Sequence, residues 1–114
     1  MISYNQHDVI LVDFGFSDGR GSKKRPALII SSDRYQKDRQ EIVIAAITSN
    51  VGRILFGDTR LNGWKEASLL YPSLVTAIIR TIKTTLVIKK LGVLPKEDFQ
   101  SVKKNIAGVM GFDE

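Results

Sequence analysis

The sequence predicts a mainly β protein: about five to seven short, mostly antiparallel strands in a small curled sheet or barrel, closed by one C-terminal amphipathic helix. Three observations lead there. Short β-branched and aromatic runs recur, each cut off by glycine, proline or asparagine. Most connections between runs are too short for a crossover, which favours antiparallel pairing. Only at the C-terminal end does the apolar spacing change to that of a helix. A chain of 114 residues fits a single domain over 1–114 and is too short for a TIM barrel or a two-domain dinucleotide enzyme. With 43% hydrophobic and 25% charged residues, it is neither a disordered chain nor a fibrous repeat.

The elements follow in order. Val9 to Phe14 (VILVDF) is the first strand, ended by Gly15 and Gly19. A polar loop, Ser17 to Lys24 (SDGRGSKK), leads to a second strand starting at Pro26, which must sit at a strand start or an edge because it cannot donate to a ladder. Ser32-Asp33 can cap a helical turn from Arg34 to Arg39. Ile42 to Thr48 (IVIAAIT) is apolar throughout its length until its final threonine, so a strand buried on both faces is expected. Phe56 to Leu61 and Glu66 to Tyr71 read as shorter strands around an Asn62-Gly63 turn, and Leu74 to Ile82 and Leu86 to Leu94 as two more. Pro95 suits a helix start, and Glu97 and Asp98 suit its positive dipole end. Phe99, Val102, Ile106, Val109 and Met110 then repeat at helical spacing up to Gly111.

Composition excludes several chemistries. The chain has no cysteine, which removes disulfides, thiolate metal sites and thiol catalysis. His7 is the single histidine, and no metal-ligand spacing is present, so neither metal nor cofactor is expected. No run approaches the ~18 apolar residues of a membrane span, and the N-terminus lacks the pattern of a secretory leader, so the expected location is the cytoplasm. Seventeen basic against 12 acidic residues leave a net charge of +5, which favours a polyanionic partner.

Two segments can carry chemistry. Arg20, Lys23, Lys24 and Arg25 put four cations within six residues, among small residues and the Ser22 hydroxyl. That composition suits phosphate, Arg as a bidentate fork and Lys as a point charge, and equally describes a solvated basic hairpin. Arg25 is set apart by the strand that follows it, which holds its backbone in place; an ion pair with Asp13 or another acid at a strand end is the structural alternative. Thr48-Ser49-Asn50 closes the apolar strand with hydroxyls and an amide, or serves as an ordinary turn. Trp64, Phe56 and Tyr71 can stack on unpaired bases or pack as core or dimer contacts, with Phe56 expected in the core.

The chain resembles the MazF/PemK (Kid) toxin family of type II toxin–antitoxin modules over nearly its whole length. The resemblance rests on an ordered set: DVILVDF from Asp8, SDGRGS from Ser17, KRPALIIS from Lys24, ITSN from Ile47, PSLV from Pro72, Arg80-Thr81-Ile82, and IKKLGVL from Ile88. It implies an SH3-like β-barrel with a C-terminal helix, working as a homodimer. It implies a metal-independent endoribonuclease that cuts single-stranded RNA at short sequences and is neutralised by an antitoxin with an acidic, disordered tail. By the resemblance, Arg25 and Thr48 are the catalytic pair. Phe16, Ser17, Asp18, Arg20, Ser22, Lys23, Lys24, Ser49 and Asn50 are expected RNA contacts. Two departures stand out. Some family members carry a histidine or glutamate in the first loop where this chain has Gly19, Arg20 and Gly21. Several also carry an arginine and an aspartate before the Arg-Thr-Ile motif, where this chain has the uncharged Val75 to Ile79 (VTAII). Two other readings remain open: a barrel that binds RNA or an acidic peptide without cutting, and a toxin that poisons a protein such as gyrase, as the related CcdB toxins do.

Overall fold

Among the described residues, backbone pairing puts six strands in one antiparallel sheet of order β4-β5-β3-β2-β1-β6. The computed structural model describes residues 3–15 and 22–112. The strands are β1 (Asp8–Gly15), β2 (Ser22–Ile29), β3 (Glu41–Thr48), β4 (Thr59–Arg60), β5 (Leu74–Lys83) and β6 (Val87–Val93). Helix α1 spans Asp33–Arg39 and α2 spans Lys96–Met110; a 3-10 turn at Thr84–Leu86 joins β5 to β6.

The alternation of side chains explains why the central strands are apolar throughout. Val9, Leu28 and Ala45 lie in register on one face, under Phe99 and Val102 of α2 and the loop residues Leu61, Ala67 and Leu69. Ile10, Val12, Ala27, Ile29, Ile42 and Ile44 form a second cluster on the other face, with Tyr4. Ile82 of β5 and Val87 of β6 both pack against this second cluster, although three strands separate them in the sheet. The sheet therefore curls on itself. Each fully buried aliphatic residue in these clusters contributes roughly 1.5–3 kcal/mol of transfer free energy. Burial of β3 on both faces is as expected from its sequence.

Local signals set the helix ends. Ser32 Oγ accepts from the Tyr35 N–H at 3.2 Å and caps α1. Beyond α1, Arg39 Nε donates to Glu41 at 2.9 Å, and that bond raises the pKa of this exposed arginine, an effect confined to the surface. Gly111 ends α2 at φ 76°, where its N–H reaches the Ala107 and Gly108 carbonyls.

Two expected strands are reduced by contacts remote in sequence. Phe56 to Leu61 shortens to Thr59–Arg60, and Glu66 to Tyr71 is not a strand. Asp98, buried in the first turn of α2, accepts from Asn62 N–H at 3.2 Å and Gly63 N–H at 2.7 Å. This fixes residues 62–63 against the helix start, and Ala67 N–H and Leu69 N–H then close turns onto the Gly63 and Trp64 carbonyls. A side chain at Gly63 would collide with Pro95. Asp98→Ala leaves two amides, one of them buried, without their charged acceptor. It is expected to lower stability by about 3 kcal/mol, read from the urea midpoint.

His7 is used structurally. It adopts φ 84°, bridges Ile29 and Leu94 through its own N–H and carbonyl, and lays its ring 3.9 Å from that of Phe99. Phe56, expected in the core, is 84% exposed, because Gly57 rather than Phe56 packs against Val109 and Ala77.

Candidate nucleic-acid interface

The β2–β3 ladder runs only from Ala27–Ile29 against Ile44–Ala46. Continued by one residue, its register would set Pro26 opposite Ile47; continued by two, Arg25 opposite Thr48. Proline has no N–H to give a ladder, and the pairing stops at it. Past that point Arg25, Pro26, Ile47 and Thr48 all line a groove of about 550 Å³. Residues of both alternations reach it, as expected for an opening between strands rather than a dish on one face.

The groove is cationic at this end and apolar along its far wall. Lys23 and Arg25 come from β2, Thr48 from the end of β3 and Ser49 from the residue after it; Lys89 and Leu91 come from β6, with Leu11 of β1 between. Thr48 Oγ1 accepts from the Asn50 N–H at 3.1 Å. That contact occupies an acceptor site and orients the hydroxyl, leaving its single O–H to donate. The far wall is the segment from Ser68 to Ser73, with Leu70 and Tyr71 largely exposed. Ser73 Oγ donates to the Tyr71 carbonyl at 2.7 Å, and Ser68 holds φ 64°. Gly92 permits the close approach of β6 to this wall: a Cβ there would lie 2.5 Å from the Ala67 carbonyl oxygen. No carboxylate or imidazole lines the groove among the described residues, so its polar chemistry comes from ammonium, guanidinium and hydroxyl groups.

Of the residues singled out from sequence, Lys23, Arg25, Thr48 and Ser49 come together in the groove. Asn50 lies outside its lining and holds Thr48 through its backbone. Lys24 is exposed and stands across from Asp13 in the β1–β2 ladder. Ser22 begins β2, and Phe16, Ser17, Asp18 and Arg20 lie outside the described residues. Among the aromatic candidates, Tyr71 lines the groove, while Trp64 is half-buried against the core. Lys89, Leu70 and Ser68 were missed. Lys89 carries no sequence signal beyond a Lys-Lys pair on a strand.

A curled antiparallel sheet with a C-terminal helix and a cationic, hydroxyl-lined groove defines a small β protein suited to binding phosphate. The family model of the PemK-like, MazF-like toxins of type II toxin–antitoxin systems matches residues 5–110, and the chain belongs to that family. Solved structures share the fold. A mycobacterial endoribonuclease in complex with its cognate antitoxin superposes with a TM-score of 0.79 at 16% identity, covering 96% of each chain. MazF from Deinococcus radiodurans gives 0.78 at 18% identity, covering 97% of this chain and 99% of its own. The Mycobacterium tuberculosis toxin MazF-mt6 gives 0.74 at 21% identity, covering 94% and 99%. No curated protein matches the sequence significantly.

Proposed function

We propose that the protein is a metal-independent endoribonuclease toxin that cuts single-stranded RNA at short specific sequences, with Arg25 and Thr48 as its catalytic pair. The observation that carries this reading is that a guanidinium and an alcohol from two different strands line one solvent-open groove. In such a cut, the 2′-oxygen loses its proton as it bonds to the neighbouring phosphorus. The bond from phosphorus to the 5′-oxygen breaks, and that oxygen gains a proton as it leaves. The products are a 2′,3′-cyclic phosphate and a 5′-hydroxyl. The demanding species is the crowded phosphorane anion. Arg25 stabilises it as a planar, bidentate cation, and Thr48 donates a hydrogen bond to a non-bridging oxygen. A guanidinium holds its own protons too tightly to take the 2′-proton. Arg25 therefore works chiefly through its charge.

The toxin acts in the cytoplasm as a homodimer; among the described residues no helix is long and apolar enough to cross a membrane. Support for a second copy comes from exposed Ile54, Leu55 and Phe56 beside the similarly exposed end of α2, where Val109 and Met110 lie. The neutralising antitoxin offers an acidic, disordered tail to the cationic groove; the solved neighbours include a toxin bound to its antitoxin. Incubation of the purified protein with a long single-stranded RNA in EDTA tests the reading. Discrete fragments with 5′-hydroxyl ends are expected. RNA that is shifted but uncut would assign a binding module instead, and RNA left untouched would favour a protein target.

A further inference from the structure

We infer that Lys89 is a substrate-binding residue of the groove, holding a backbone phosphate next to the one that Arg25 and Thr48 engage. The inference rests on the ribonuclease reading of the groove and adds a contact to it. Leu11 of β1 pairs with Pro26 of β2 on one side and with Lys89 of β6 on the other, so the three form one row across the sheet. All three line the groove, and Arg25 adjoins that row. Two strand spacings separate β2 from β6, roughly 10 Å. Cations on backbones that far apart are suited to successive phosphates of one strand rather than to a single one.

Two further observations single out Lys89 from the other lysines. Register shifts in the β1–β6 pairing fall between Val9 and Ile10 and between Leu11 and Val12, so irregularities flank the Lys89–Lys90 pair on both sides. Bulges of this kind re-aim side chains and are common beside active sites. The two lysines then divide. Lys90 is taken by the buried carboxylate of Asp8 at 3.2 Å, whereas Lys89 makes no ion pair among the described residues and lines the groove. The competing explanation is a solvated lysine that keeps the β6 edge from pairing with other chains.

The full-length protein with Lys89→Gln, which removes the charge and keeps a polar edge, separates the two. KM for a defined RNA is expected to rise about fivefold with kcat within about twofold, the pattern of lost uniform binding. The log–log salt slope for binding the same RNA, made uncleavable by one 2′-deoxy nucleotide, should shrink by about 0.7, the value of one phosphate contact on a single strand. Lys89→Arg should restore both. An uncharged methylphosphonate beside the scissile phosphate should weaken wild-type binding and leave the Lys89→Gln protein unaffected. A fall in kcat at constant KM, unchanged KM and salt slope, or equal methylphosphonate losses in both proteins would each overturn the assignment. Wild-type protein that fails to cut sinks the ribonuclease reading separately, and the binding slope on uncleavable RNA still decides Lys89.

Discussion

Replacing Arg25 by alanine is expected to lower the rate of RNA cleavage by about 10²–10³-fold, the usual cost of removing one preorganised donor to a developing anion. The reason lies in where Arg25 sits. It pairs with Val12 inside the β1–β2 ladder, and it precedes Pro26, at which the β2–β3 ladder gives out. Its backbone is thus held on one side and opens to the groove on the other. A rigidly held guanidinium meets the phosphorane without reorganising, which is the condition for a large electrostatic effect. Arg25→Lys should recover only part of the rate, because an ammonium is a point charge and cannot bind two phosphate oxygens in a plane. Arg25 belongs to neither core cluster, so the variant should still fold, and its melting curve is recorded beside the rate. Rate and melting curve together separate a lost catalytic group from a lost fold.

A second expected result is larger still. RNA carrying a single 2′-deoxy nucleotide immediately 5′ of the cut should not be cleaved at that position at all, in EDTA or without it. The groove among the described residues is lined by cations, hydroxyls and apolar side chains and offers no carboxylate or thiolate to attack phosphorus. In the proposed chemistry the substrate brings its own nucleophile, and deleting that hydroxyl removes the reaction while leaving the phosphates that bind. Gel analysis of end-labelled RNA, with binding of the deoxy substrate measured in parallel, checks this. Tight binding without cleavage is expected. Cleavage of the deoxy position would require a different nucleophile and would remove the proposed chemistry.

What could be read from the sequence was governed by the range of the interactions that set each feature. The β3 run from Ile42 to Thr48 was legible because double-sided burial demands an unbroken apolar strand. The α2 boundaries were legible because Pro95, Glu97 and Gly111 act within a turn of the helix end. Arg25 and Thr48 were legible as candidates from the basic run and from the polar close of β3, and as a pair through the family resemblance; the register between β2 and β3 accounts for their sharing a groove. The segment from Glu66 to Tyr71 was misread as a strand, because its geometry is imposed through Gly63 by Asp98, which lies 35 residues beyond that glycine in sequence. Phe56 was misread as core for a related reason. Its neighbour Gly57, at φ 97°, makes the contact with α2 and turns the ring outward. Lys89 could not be told from Lys90 by composition; the irregular register of β6 and the buried Asp8 carboxylate distinguish them.

Convergence of Arg25 and Thr48 on one scissile phosphodiester is best tested by a double-mutant cycle on cleavage. The rates of Arg25→Ala, Thr48→Val and the combined variant would be compared on one RNA, with wild-type folding checked for each. Groups that act together on one transition state lose their effects non-additively. The expected result is a double variant scarcely slower than Arg25→Ala alone. Losses that multiply through the cycle would show the guanidinium and the hydroxyl acting independently, and would contradict a shared phosphate.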